Sequence, residues 1–179
     1  MNGAPEVESV ASAIERVVTQ SGETIAALSM DQPVLLVFLR HAGCTFCREA
    51  LSDIARYRTA IEGVGARIAL VHMGKQIEAE KIVRKYGLRG VDLISDPGRD
   101  LYRAVGLARG TLLQLFGPKV IGRGIKAGLI DGHGLGAPAG DTAQMPGVFL
   151  LDRCEIVRRF RHRTAADRPD YTAIVARSK

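Results

Sequence analysis

The sequence predicts an α/β fold in which a mixed sheet carries helices on its flanks. Three observations support this: an unbroken apolar run at residues 34–39, helical periodicity on either side of it, and two short apolar runs near the C-terminal end separated by a polar turn.

Taken in order, Val7, Val10, Ala11, Ile14, Val17 and Val18 recur at helical spacing with charged residues between them, so residues 5–20 are expected to form an amphipathic helix within a helical extension over 5–30. Asp31, Gln32 and Pro33 interrupt it. Residues 34–39 are rich in β-branched and leucine side chains with no polar alternation, the pattern of a strand covered on both faces. Leu51, Ile54, Ala55, Tyr57 and Ile61 then give residues 45–62 a helical period. Residues 66–72 read as a second buried strand, and 76–86 as a second helix closed by Gly87, with basic residues near its C-terminal end to suit the dipole. Alternation of strand and helix calls for parallel strands joined by right-handed crossovers. Residues 92–97 suit a short strand and turn, and 98–105 a turn or two of helix. Residues 147–151 and 156–160 suit a hairpin, and 170–177 a closing helix.

Between these last elements, residues 107–144 read as an insertion rich in glycine. GTLLQLFGPKVIGRGIKAGL, from residue 110, is apolar and basic but broken by glycines and Pro118, and GHGLGAPAG reads as loop. Lys119, Arg123 and Lys126 could lie opposite an apolar stripe, as on a membrane-surface helix. The breaks favour packing over the site or against a second copy of the chain in a homodimer. A nucleotide fingerprint is not met, because no strand leads into GHGLGAPAG and no helix with an acidic residue follows.

At 179 residues and 46% apolar composition, the expectation is one globular domain over 1–179. The net charge is +6, but 19 acidic residues are interleaved with the bases and no nucleic-acid motif accompanies them, so neither nucleic acid nor membrane is expected as a partner. A secretory leader and an apolar run of spanning length are both missing from the pattern, and a cytoplasmic location is the expectation. In that compartment most thiols stay reduced, so a Cys-x-x-Cys pair points to catalysis or metal binding rather than a structural staple.

Strand, Cys-x-x-Cys helix, strand, helix, hairpin and final helix is the order of a thioredoxin fold. In that fold the proline before the hairpin, here Pro146, is cis and faces the cysteines. Pro146 is expected in that role rather than as an ordinary loop proline, with Gln144 and Met145 beside it lining the groove.

The stretches FLRHAGCTFCREAL, VGLARG, GDTAQMPGVFLLD and TAADRPD resemble the peroxiredoxin-like branch of the AhpC/TSA family, over roughly residues 34–171. This branch includes selenoprotein-related members. The resemblance implies a thiol redox protein with antioxidant use, a peroxidase or a disulfide reductase, and some relatives reduce lipid endoperoxides. It also implies a peroxide or disulfide substrate and a thiol reductant of thioredoxin or glutathione type. The pattern departs from typical peroxiredoxins, which carry Thr or Ser where His41 stands. It departs from typical thioredoxins at Gly43, Phe46 and Phe38, where Trp, Pro and a buried Asp would stand.

The chemistry of the pair follows from its placement where a strand gives way to a helix. A thiol is mostly protonated at neutral pH, while the thiolate is the nucleophile. Unpaired N–H groups and partial positive charge at a helix start favour the thiolate, which makes Cys44 the expected nucleophile. Arg40, His41, Thr45 and Arg48 are the neighbours placed to tune its pKa or line the substrate groove, and His41 equally suits a strand-end cap. Cys47, one turn later on the same face, would resolve the mixed disulfide or sulfenic acid as an intramolecular disulfide. No cofactor is called for. Zinc would need four ligands, and Cys154, His72, His133 and His162 lack metal spacing. Two further readings stay open: a coincidental buried pair, and a redox sensor or binding module that uses the same cysteines as a switch. Cys154, in the expected hairpin turn, reads as an incidental thiol.

Overall fold

The structure, a computed structural model, describes residues 8–40, 45–111, 114–115, 117, 120–122 and 143–176. Two short helices come first, α1 (Val10–Arg16) and α2 (Ile25–Asp31). Each opens on a hydroxyl cap: Ser9 accepts from the Ser12 N–H and Thr24 from the Ala27 N–H. The single helix expected over 5–20 is thus shorter. Val17 is already extended, Val18 bridges to Thr24, and Gly22 turns the chain at φ 85° before α2 begins.

The central elements are β1 (Val34–Phe38), α3 (Thr45–Gly63), β2 (Arg67–His72), α4 (Gln76–Lys85), β3 (Asp92–Ser95) and α5 (Asp100–Ala104). Then come β4 (Gly147–Asp152), β5 (Glu155–Arg161) and a last helix, α6 (Tyr171–Val175). The sheet order is β3-β2-β1-β4-β5. The first three strands are parallel, β4 is antiparallel to β1, and β5 is antiparallel to β4.

β1 lies in the middle of this mixed sheet, which is why its five residues are all buried. Its side chains alternate between two cores. Val34, Leu36 and Phe38 meet α1, α2 and α5 through Ile14, Leu28, Leu101 and Tyr102. Leu35 and Val37 meet α3, α4 and α6 through Leu51, Ile54, Val83 and Tyr171. A run without polar alternation is the sequence of a strand facing apolar helices on both sides.

Buried polar groups hold the ends of the strands. The Tyr102 hydroxyl donates to the carbonyls of Leu39 (2.5 Å) and Val71 (3.1 Å), tying β1 to β2 where both run out. The Asp96 carboxylate accepts the N–H groups of Asp100, Leu101 and Tyr102 at 2.9–3.2 Å and so caps α5, while desolvation raises its pKa against those bonds. The β4–β5 turn places Arg153 and Cys154 both at positive φ, 48° and 65°, as a two-residue hairpin of this twist requires. Ser29 secures it by accepting the Cys154 N–H at 3.0 Å.

Most of the glycine-rich insertion, residues 123–142 included, lies outside the described residues. What is described of its start, Leu115 and Val120, packs with Met145, Ala165 and Ala166 in a small separate cluster. Among the described residues no helix is long and apolar enough to cross a membrane.

Candidate active site

The redox candidates lie at the β1–α3 junction, where the chain leaves the middle of the sheet at its C-terminal edge. Helix α3 begins at Thr45, and Cys47 is in its first turn. The Cys47 side chain is buried, and its sulfur accepts the backbone N–H of Arg40 at 3.1 Å. A donated N–H and the positive end of a 19-residue helix both favour negative charge on this sulfur. His41, Ala42, Gly43 and Cys44, the other half of the pair among them, lie outside the described residues.

The remaining predicted residues separate into distinct places. Arg40 is buried, and its Nε donates to the Gln144 carbonyl at 3.2 Å. Gln144 in turn donates through Nε2 to the carbonyls of Leu107 (2.9 Å) and Ala108 (3.2 Å), which fastens the approach to β4 onto the junction. Thr45 is buried as the first residue of α3. Arg48 is half-buried and faces a different cleft from Arg40. Pro146 does line a cavity with Cys47 and Arg40, but Met145 turns into the small cluster with Leu115 and Val120 and leaves the cavity wall.

The Met145–Pro146 peptide bond is trans, which corrects the expectation of a cis proline. An X-Pro bond prefers trans by about 0.5–1 kcal/mol, and Gly147 continues directly into β4 from that geometry.

The cavity beside Cys47 also contains groups that the sequence reading missed. Glu49 and Asp53 lie one turn apart on α3, both buried, a like-charged pair that would repel without a counter-ion. Arg168 supplies it: Nε donates to Asp53 Oδ2 at 2.7 Å, a second guanidinium nitrogen donates to Asp53 Oδ1, and Nη1 lies 3.2 Å from Glu49. Desolvation pushes the Tyr171 hydroxyl well above its ordinary pKa, with Asp53 and Cys47 adding to the effect. Tyr102, on the other side of the sheet, is raised chiefly by burial, again with Cys47 contributing. Both phenols therefore stay protonated. His162 lies on the cavity wall with its ring edge-on to Phe160, centroids 5.1 Å apart. Burial lowers its pKa from 6.5 to about 4, outweighing Asp167 and the backbone of Pro146 and Asp167. It therefore stays neutral at neutral pH on the wall of the cavity that Cys47 also lines. The i,i+4 acidic pair on α3 was a legible hint that a cation must arrive, but Arg168 stands 115 residues from Asp53 and nothing local names it.

Cys47 and Cys154 form no disulfide with each other; Cys154 sits in the β4–β5 turn beside α2. Among the described residues no cluster of three or more His, Cys, Asp or Glu is placed to hold a metal ion.

A mixed five-stranded sheet in this order, flanked by helices and carrying a cysteine in the first turn after its central strand, defines a thioredoxin-like α/β protein. Residues 6–160 match the AhpC/TSA family, and the chain belongs to that family, among its peroxiredoxin-like members. It is similar to the prostamide/prostaglandin F synthase of Salmo salar, 29% identical over 136 residues, which is 73% of this chain and 66% of that relative. It is also similar to peroxiredoxin-like 2C of Mus musculus, 25% identical over 154 residues, 78% of this chain and 66% of the relative. In both comparisons the chain spans just under two thirds of the relative's length. Among solved structures it resembles the Xanthomonas campestris bacterioferritin comigratory protein, studied for alkyl peroxide reduction, with a TM-score of 0.65, 16% identity, and 95% and 94% of the two chains covered. The Mycobacterium tuberculosis peroxidoxin BcpB gives 0.58 at 16% identity, covering 89% of each chain. At such identities the likeness shows the fold. Family and fold together support a redox function.

Proposed function

We propose that the protein is a thiol oxidoreductase that reduces a peroxide or a disulfide with the dithiol Cys44 and Cys47, recycled by an external thiol donor of thioredoxin or glutathione type in the cytoplasm. The observation that carries this reading is the Arg40 N–H donated to the Cys47 sulfur at a strand-to-helix junction, on the wall of a cavity. Such a sulfur is held ready to accept negative charge when the disulfide it belongs to is reduced.

With a peroxide, the Cys44 thiolate attacks one oxygen. An S–O bond forms, the O–O bond breaks, and the departing oxygen takes a proton and leaves as alcohol or water. Cys47 then attacks the sulfenic sulfur, water leaves, and a Cys44–Cys47 disulfide remains. Two electrons have passed from the dithiol to the peroxide. The thiol donor returns them by attacking that disulfide and becoming oxidised itself. With a disulfide substrate, the same thiolate forms a mixed disulfide that Cys47 resolves. The relatives named prostamide/prostaglandin F synthase extend the reading to a cyclic peroxide: Cys44 would open the O–O bond to a sulfenate ester and one hydroxyl, and Cys47 would then displace the second oxygen from that sulfur as the other hydroxyl, with no water released.

Mass spectrometry after one equivalent of peroxide tests the proposal. The expected result is a loss of two hydrogens in a peptide pair joining Cys44 to Cys47; an unmodified dithiol counts against a peroxide substrate. Insulin reduction in the presence of dithiothreitol then separates disulfide from peroxide as the oxidant.

A further inference from the structure

Cys47 also lines a second cleft, distinct from the cavity that holds the Arg168 cluster. It opens between α3 and α4 at the C-terminal ends of β2 and β3, where open α/β sheets commonly take their ligands. Leu51, Leu70, Ile82, Val83 and Leu93 form its walls, and the exposed Lys75 and Glu78 stand at its mouth.

Among these aliphatic walls lies His72, only 7% exposed. Its Nδ1 is 3.1 Å from the Gly74 carbonyl oxygen. A carbonyl only accepts, so Nδ1 carries the proton and Nε2 presents a lone pair. Nε2 is buried and has no hydrogen-bonding partner among the described residues. Desolvation lowers the pKa of this ring, against the Gly74 carbonyl and the Gln76 side chain, which keeps it neutral and keeps Nε2 an acceptor. An unmet acceptor at this depth is costly, and what answers it must bring a donor. A water would find room, since the cavity measures about 40 Å³ and one water needs roughly 10–15 Å³, but a buried water also needs two to four polar partners, and these walls are mostly aliphatic.

We propose that this cleft is a subsite for an aliphatic chain ending in an O–H donor, the chain held by the leucine and valine walls and the O–H by His72 Nε2. A hydroperoxide substrate and the alcohol left by its reduction share that chemistry. His72 is then a positioning residue, and its bearing on turnover rests on the redox reading above, whereas the binding does not.

Titrating the reduced protein with n-hexanol, followed by the ¹⁵N resonance of His72 and the methyl groups of Leu51, Leu70 and Leu93, tests the proposal. A saturable shift at Nε2 is expected, with affinity falling about 2- to 10-fold in His72→Leu, the loss of one hydrogen bond. No saturable Nε2 shift overturns the proposal, leaving the acceptor to solvent, and so does equal affinity in His72→Leu. Should that variant fail to fold, the wild-type Nε2 shift decides alone. A KM for hexyl hydroperoxide raised in His72→Leu at constant kcat assigns the O–H donor to the substrate. An unmoved KM with weakened hexanol binding assigns it to the alcohol. If the wild type turns over neither peroxide nor disulfide, the redox reading fails while the hexanol titration still decides the subsite.

Discussion

His162 offers a quantitative test of the cavity's electrostatics. Its ring is packed edge-on against Phe160, with Nδ1 buried and without a hydrogen-bonding partner among the described residues, and burial brings its pKa from 6.5 to about 4. The unfolded chain takes up a proton at this site near pH 6.5, and the folded chain only near pH 4. Stability from His162 is therefore fully present above 6.5, drains away between 6.5 and 4, and is gone below. At ~1.36 kcal/mol per pH unit, that separation amounts to about 3 kcal/mol, an upper value because the side chain keeps some contact with solvent. His72, also lowered by burial, acts in the same direction, so the wild-type pH profile alone does not isolate His162. A comparison with His162→Phe does. Urea unfolding at pH 7 and pH 4.5 should show the wild type losing most of that ~3 kcal/mol more than the variant, which has no proton to take up. Equal losses in the two proteins would refute the reasoning, because they would mean that the ring titrates alike in the folded and unfolded states.

Two further perturbations probe what shapes the site. Arg168→Met strands the buried Glu49 and Asp53 side by side on α3. It should cost about 1–3 kcal/mol in urea unfolding, less than the ~3–5 kcal/mol of a fully buried pair because the Arg168 side chain is 47% exposed and partly screened. Adding Asp53→Asn should recover part of that loss, and a strictly additive double variant would rule out the coupling. Gly147→Ala sets a methyl 2.7 Å from the Leu107 side chain and 3.0 Å from the Phe149 ring at the start of β4. It should lower stability by about 1–3 kcal/mol through overpacking, read from the thermal midpoint.

Much of the architecture was legible before any coordinates. The run at residues 34–39 reads as a two-faced central strand because neither face meets water, and residues 45–62 read as a helix because their apolar positions repeat at its period. The early helices were less legible, since a glycine at positive φ and a threonine cap divide what periodicity alone joins. Pro146 was assigned its isomer by topological analogy, and local sequence does not carry that information.

The sequence by itself determined the order of strands and helices from residue 34 onward, the family, and the placement of Cys47 in the first turn after the central strand, because periodicity and chain order are local properties. Only the tertiary structure decided that Arg168 neutralises Glu49 and Asp53, that Met145 leaves the cavity wall while Pro146 stays, and that burial keeps His72 and His162 neutral. Those outcomes depend on which distant segments meet across the sheet, and charge state and burial are set by that meeting rather than by neighbours in the chain.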